Sequence, residues 1–156
     1  DEAPDAAQLL AHADVDVVCF GCTGASFIED GIDSKIIADI ESATGTRATT
    51  TSTSIKLALQ QLGAKKIALV TPYSLEINGI LTRFLNADGF DVVSQSAMGI
   101  EKPAFLPPEA AYQAVIDTFT DEADAVLISC TNLRTLEVIE RVLLRYLRAP
   151  DARRWI

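Results

Sequence analysis

An α/β fold built on parallel strands is the architecture the sequence predicts, and three features predict it. Short apolar runs rich in β-branched residues recur at VDVVCF (15–20), KKIALV (65–70), FDVVSQS (90–96) and DAVLIS (124–129). Runs of this kind with few polar breaks read as strands covered on both faces. Between them lie segments with apolar residues at helical spacing, several closed by a glycine, and strand alternates with helix throughout. Parallel strands need a crossover of helix length, so the alternation selects a parallel sheet.

The elements follow in order. DEAPDAAQLL opens the chain as the end of a helix over 4–13, with Leu9 and Leu10 as its apolar pair. The first strand, Val15 to Phe20, runs into Gly21-Cys22-Thr23-Gly24, small and hydroxylated residues suited to a tight turn from strand to helix. Ile36, Ile37 and Ile40 mark a helix over 33–42, stopped near Gly45. The run Thr49-Thr50-Thr51-Ser52-Thr53-Ser54 offers N-caps for the helix IKLALQQL (55–62), which ends at Gly63. A second strand, Ile67 to Val70, closes at Thr71-Pro72-Tyr73, and a helix from Ser74 to Asp88 stops at Gly89. After the third strand, a loop with Gly99, Pro103, Pro107 and Pro108 leads into the helix EAAYQAVIDTF (109–119), since proline suits a first helical turn. The fourth strand, Ala125 to Ser129, ends at Cys130-Thr131-Asn132, and the last helix carries Leu136, Val138, Ile139, Val142 and Leu143.

A length of 156 residues suits one domain, or two small ones sharing a cleft. Apolar residues make up 49% and charged ones 22%, enough for a packed core, which excludes disordered, collagen-like and disulfide-scaffold classes. The formal charge of −9 argues against nucleic acid and anionic membrane, both of which are bound mainly through Lys and Arg. A small anion held by local donors stays open. No apolar run approaches the roughly 20 residues of a membrane span. With no signal-like leader and an odd count of 3 cysteines, the expected setting is the cytoplasm, with reduced thiols. A chain that begins at Asp1, inside a helix, reads as a piece lacking an upstream strand.

Two distant segments echo each other. VDVVCFGCTG (15–24) aligns without gaps to ADAVLISCTN (123–132), matching Asp16 to Asp124, Val18 to Val126, Cys22 to Cys130 and Thr23 to Thr131. Each half therefore presents a Cys-Thr pair where a strand ends and a helix is expected to begin. Ligands of parallel sheets bind at the carboxyl ends of the strands, where helix N-termini offer unpaired N–H groups and a field that favours thiolate. Two thiols facing each other across a cleft would serve acid/base or addition chemistry on both faces of a small carbon acid, with no metal and no organic cofactor.

The segments FGCTGASF (20–27), ATTTSTS (48–54), GAKKIALVTPYSLEIN (63–78) and DAVLISCTNLRTLEVIE (124–140) resemble the maleate cis-trans isomerase and arylmalonate decarboxylase group of the aspartate/glutamate racemase superfamily. The resemblance runs roughly from Val15 to Val142. It implies two pseudo-symmetric, flavodoxin-like parallel-sheet lobes with the active site between them. Residues 1–60 would make most of the first lobe, and 61–156 the second, with an atypical tail at 145–156. It implies Cys22 as the nucleophile that adds to a double bond, and Cys130 as the general acid/base. In the decarboxylases of this group the first position is not cysteine, so Cys22 favours isomerisation or racemisation over plain decarboxylation. Tyr73 matches the family tyrosine that reaches a substrate carboxylate. Thr23 and Gly24 match a carboxylate-binding turn, with Thr131 and Asn132 as its counterpart in the other half. A small dicarboxylate is the implied substrate, and a homodimer the implied assembly.

The chain departs from that pattern in the loop GIEKPAFLP (99–107), where Lys102 stands near a position that is asparagine in the isomerases. The tail LLRYLRAPDARRWI does not continue into the last strand and helix the resemblance implies. Plainer readings apply to several residues. Cys19 and Cys22 form C-F-G-C, but Cys19 falls within a strand and is most simply a packing residue. The Thr49–Ser54 run reads as capping, His12 as surface, and Arg134 as part of a solvated helix face. Three function classes follow: a cofactor-independent isomerase of the maleate-to-fumarate type; a malonate decarboxylase or amino-acid racemase on the same scaffold; and an inactive fragment or small-ligand binding protein.

Overall fold

Parallel pairing organises every strand in the computed structural model, which describes residues 2–147. These residues fall into two compact units that meet in sequence between Leu57 and Ala58. In the first unit, helix α1 (Ala3–Gln8) and a 3-10 turn (Ala11–Ala13) precede strand β1 (Val18–Phe20). A second 3-10 turn (Gly24–Ser26), helix α2 (Ile32–Thr44), strand β2 (Ala48–Thr50) and the opening turns of helix α3 (Thr51–Leu62) follow. β1 pairs with β2 in parallel, from Val18 opposite Ala48 to Phe20 opposite Thr50.

Ala7, Val18, Ile36 and Ile40 make this unit's core. Helix α2 is bracketed by glycines in the left-handed region, Gly31 at φ 73° and Gly45 at φ 69°, where a side chain would be strained. Its first turn carries Asp33, only 5% exposed. The Asp33 carboxylate accepts from Lys56 Nζ (3.1 Å), Thr53 Oγ1 (3.1 Å) and the Ser34 N–H (2.8 Å), which ties α2 to α3.

The second unit centres on β3 (Lys66–Thr71), flanked by β4 (Asp91–Ala97) and β5 (Ala125–Ile128), all parallel. Helix α4 (Leu75–Ala87) connects β3 to β4, and α5 (Pro108–Thr118) carries the chain from β4 past β3 to β5. Helix α6 (Leu136–Leu147) follows β5. Ile67, Ala68, Leu69 and Val70 of β3 are each 0% exposed, as befits a central strand covered on both faces. Ser74 caps α4 by accepting from the Ile77 N–H. Asp124 accepts from the Lys65 and Lys66 N–H groups at 2.9 and 3.0 Å, pinning the start of β5 to the start of β3. Arg141 of α6 forks onto Glu109 of α5, with its guanidinium 4.3 Å from the Tyr112 ring centroid. Among the described residues β5 is an edge strand, and an apolar groove of about 340 Å³ lies between it and α6, lined by Val126, Ile128, Ile139 and Leu143 among others.

The result is an α/β fold with parallel sheets, and it differs from the sequence reading in its first unit. β1 is shorter than VDVVCF: Val15 and Val17 are 38% and 51% exposed, while Val18, with the half-buried Phe20 packed beside it, turns into the core. Leu9 and Leu10 are exposed, and Ala7 is the buried face of α1. The strand β2 and the four-residue-earlier start of α3 were hidden in a hydroxyl run that reads as capping alone. Of the tail 145–156, Arg145–Leu147 close α6, and 148–156 lie outside the described residues.

Burial pushes the Asp33 carboxyl up, but the Lys56 and Ser34 hydrogen bonds, the Lys56 charge and the Thr53 hydroxyl outweigh it and hold it below its ordinary value. A carboxyl depressed on folding adds stability that is fully present above about pH 4 and is lost as pH falls through the folded value. Asp33→Asn is therefore expected to cost about 1.5–3 kcal/mol at neutral pH. Urea midpoints of variant and wild type should converge in acid; identical midpoints at neutral pH would contradict the assignment.

Candidate active site

The first cysteine turn leaves β1 directly. Gly21 and Cys22 are exposed, whereas Thr23 is 2% exposed and its hydroxyl oxygen has no partner among the described residues. Thr23 precedes the one-turn 3-10 helix Gly24–Ser26, whose Ser26 N–H donates to the Thr23 carbonyl at 3.0 Å. The expected α-helix does not begin here. α2 starts at Ile32, after Gly31 reverses the chain, so the N–H groups at this turn come from the short 3-10 segment. Chemically the turn offers an accessible thiol beside backbone N–H groups, a fit for a nucleophile next to an oxyanion.

Cys19, expected as a packing residue, is exposed. Alternation explains it: Val18 faces the core, so its neighbour in the strand faces away.

The second unit brings Tyr73 and the Cys130 turn to one edge of its sheet. β3 and β5 run in register up to Val70 opposite Ile128, and the Ser129 N–H donates to the Val70 carbonyl at 2.9 Å. Both strands thus deliver their next residues, Thr71-Pro72-Tyr73 and Ser129-Cys130-Thr131, at the carboxyl edge. Cys130 is half-buried with φ 139°, a backbone conformation that favours glycine. Its carbonyl accepts from the Leu133 N–H at 3.1 Å, making a turn that exposes Thr131 and Asn132 before α6 begins five residues on. Ser129 is 1% exposed and its hydroxyl has no partner among the described residues.

Asn78 holds the Tyr73 turn in place, a role the sequence reading did not assign. It is 1% exposed on α4, accepts from Thr71 Oγ1 at 2.7 Å and donates to Gln95 Oε1 at 2.7 Å, while the Tyr73 N–H donates to Thr71 Oγ1 at 3.2 Å. The signal was present: an amide at 78 shares a helical stripe with Leu81 and Leu85, where a polar side chain needs a partner. Past β4, Met98, Gly99 and Ile100 donate to the carbonyls of Thr71, Tyr73 and Pro72. The loop with the exposed Lys102 therefore leaves from the same edge. Arg134 is exposed and forks onto Glu137 at 2.7 and 3.0 Å. Among the described residues no group of three or more His, Cys, Asp or Glu is arranged to hold a metal ion, and no helix is long and apolar enough to cross a membrane.

A positive φ on a residue with a Cβ costs about 1–3 kcal/mol, which only glycine escapes. Cys130→Gly is expected to be more stable than Cys130→Ala by about 1 kcal/mol in thermal or urea unfolding. The opposite order would show that the backbone at Cys130 is relaxed.

The chain is 28% identical over 144 residues to the arylmalonate decarboxylase of Bordetella bronchiseptica, covering 88% of this chain and 60% of that protein. It is 29% identical over 155 residues to the maleate isomerase of Geobacillus stearothermophilus, covering 91% and 61%. A crystal structure of arylmalonate decarboxylase superposes with a TM-score of 0.82 at 27% identity, over 91% of this chain and 65% of that one. The chain thus spans about three fifths of the length of these relatives. The family model described as arylmalonate decarboxylase matches residues 1–150, and the chain belongs to that family, which takes in maleate isomerases within the aspartate/glutamate racemase superfamily.

Proposed function

We propose that the protein is a cofactor-independent cis-trans isomerase of a small dicarboxylate, of the maleate-to-fumarate type. The observation that carries the reading is a cysteine in both strand-end turns, Cys22 exposed after β1 and Cys130 held at a strained backbone position after β5.

Cys22 attacks as thiolate, forming a C–S bond to one alkene carbon while Cys130 gives its proton to the other. The former double bond is now single and rotates. Cys130 then takes the proton back as the C–S bond breaks, so the trans alkene leaves and both thiols return to their starting states with no net redox change. Thr23 and Gly24 in one half, and Tyr73, Thr131 and Asn132 in the other, supply hydroxyl, amide and N–H donors to the two carboxylates. Donors of this sort on the enolate-like intermediate are worth on the order of 3 kcal/mol each where measured in other enzymes.

A second reading keeps the scaffold and changes the reaction to decarboxylation of a substituted malonate or racemisation of an amino acid. The family model and the Bordetella relative favour it, and Cys130 alone would then protonate a carbanion.

Incubation with maleate, followed by proton NMR, is expected to yield fumarate, and Cys22→Ala to lower the rate by at least about a hundredfold. Full activity in that variant would remove the nucleophile from the reading. Solvent deuterium at the α-carbon of a malonate or amino acid, with no fumarate from maleate, would select the second reading.

A further inference from the structure

The hydroxyl run at 49–54 holds the Cys22 turn from its buried side. Ser26 and Ser52 are 0% and 1% exposed, and their hydroxyl oxygens lie 2.6 Å apart. Ser26 Oγ is 2.9 Å, and Ser52 Oγ 3.3 Å, from the Thr23 carbonyl. Two hydroxyl protons serve these three contacts, and the lengths order them: Ser52 donates to Ser26, and Ser26 donates to the Thr23 carbonyl. On the other side of Cys22, Thr51 Oγ1 donates to the Phe20 carbonyl at 3.0 Å. The exposed cysteine is thus slung between two carbonyls that the first turn of α3 holds directly or through Ser26.

Capping does not account for Ser52. The cap of α3 is Thr50, whose Oγ1 accepts from the Thr53 N–H at 3.1 Å, and Thr53 in turn donates to Asp33. A planar trans peptide sets the Thr23 C=O and the Gly24 N–H in opposite directions. Tying the carbonyl to the buried hydroxyls therefore turns the Gly24 N–H away from them.

We propose that Ser52, acting through Ser26, is a positioning residue that fixes the Cys22–Gly24 turn so that an anion's carboxylate is held beside the Cys22 thiol. This rests on the reading of Cys22 as nucleophile and of Thr23–Gly24 as a carboxylate-binding turn. Neither serine touches the substrate.

Alkylation separates the proposal from the proposed reaction, because it needs no turnover. The intact protein is treated in parallel with iodoacetate, which carries a carboxylate, and with neutral iodoacetamide. Rates are read cysteine by cysteine from peptide mass spectra. In the wild type the iodoacetate-to-iodoacetamide rate ratio should be higher at Cys22 than at exposed Cys19. Ser52→Ala and Ser26→Ala should each lower the Cys22 ratio about three- to tenfold, the effect of one neutral hydrogen bond, and leave the Cys130 ratio unchanged. Ser52→Thr, which keeps the hydroxyl, should retain most of it. A wild-type ratio no higher at Cys22 than at Cys19 overturns the proposal without any variant. So does a parallel fall with both reagents, which would mark the serines as merely structural. Loss of the ratio in a protein that does not isomerise maleate leaves the positioning role standing and removes the reaction; isomerisation with an unchanged ratio does the reverse.

Discussion

Because parallel strands all enter a sheet from the same end, every return must pass through a crossover, and every strand-end turn falls at the same edge. That single geometric constraint places the candidate site residues of this chain. β1 delivers Cys22 and Thr23 at its carboxyl end, and β3 and β5 deliver Tyr73 and Cys130 at theirs. The strands do the placing because they are the least deformable parts: β3 has five consecutive residues, Ile67 to Thr71, at 0% exposure, so its end cannot drift without opening the core.

Rigidity of the strands is what lets the turns carry local cost. Cys130 sits at φ 139°, and the Thr23 and Ser129 hydroxyls, next to Cys22 and Cys130 respectively, are buried without partners among the described residues. Strain of this kind costs about 1–3 kcal/mol, and an unsatisfied buried hydroxyl a similar amount. Such costs gather where surrounding structure over-determines a conformation, and here that structure is visible. The Ser129 N–H is locked to Val70, and Thr71, Asn78 and Gln95 brace the neighbouring Tyr73 turn. In the first unit Ser26 and Ser52 do the equivalent work on Thr23. The two turns share a sequence pattern but not their bracing: one hangs from side-chain hydroxyls, the other from the sheet ladder itself.

This difference explains what could be read from the amino-acid order. The elements of the second unit were legible because β3 and its helices obey local rules: a continuous apolar run for a central strand, Ser74 as a cap, Gly89 as a stop. The first unit obeys tertiary ones. Val15 and Val17 look like strand residues and are exposed, while Thr49 and Thr50 look like capping residues and pair with β1. Residue type alone cannot tell a threonine that caps from one that pairs, since both uses suit a β-branched hydroxyl. The cysteines and Tyr73 were candidates from the repeated Cys-Thr pattern and its family resemblance, and they remain proposed site residues. Asn78, Ser26 and Ser52 were not singled out, because their partners lie in other elements, and only the folded chain shows which carbonyl or amide each one meets.

Net charge and local field point in opposite directions for the dicarboxylate proposed as substrate. A formal charge of −9 repels a dianion at long range, but exposed charges more than about 8–10 Å away are largely screened at physiological ionic strength. Donors in contact are not screened in this way, and hydrogen bonds to an ionised group are about twice as strong as neutral ones. The residues at stake are therefore the few that fix those donors. A lysine added at the surface would change the encounter rate, whereas a hydroxyl lost beneath the Cys22 turn changes where an N–H points. In the proposed reading, recognition of an anion by a chain this acidic depends on orientation more than on charge, and orientation is what the buried serines and the sheet edge would supply.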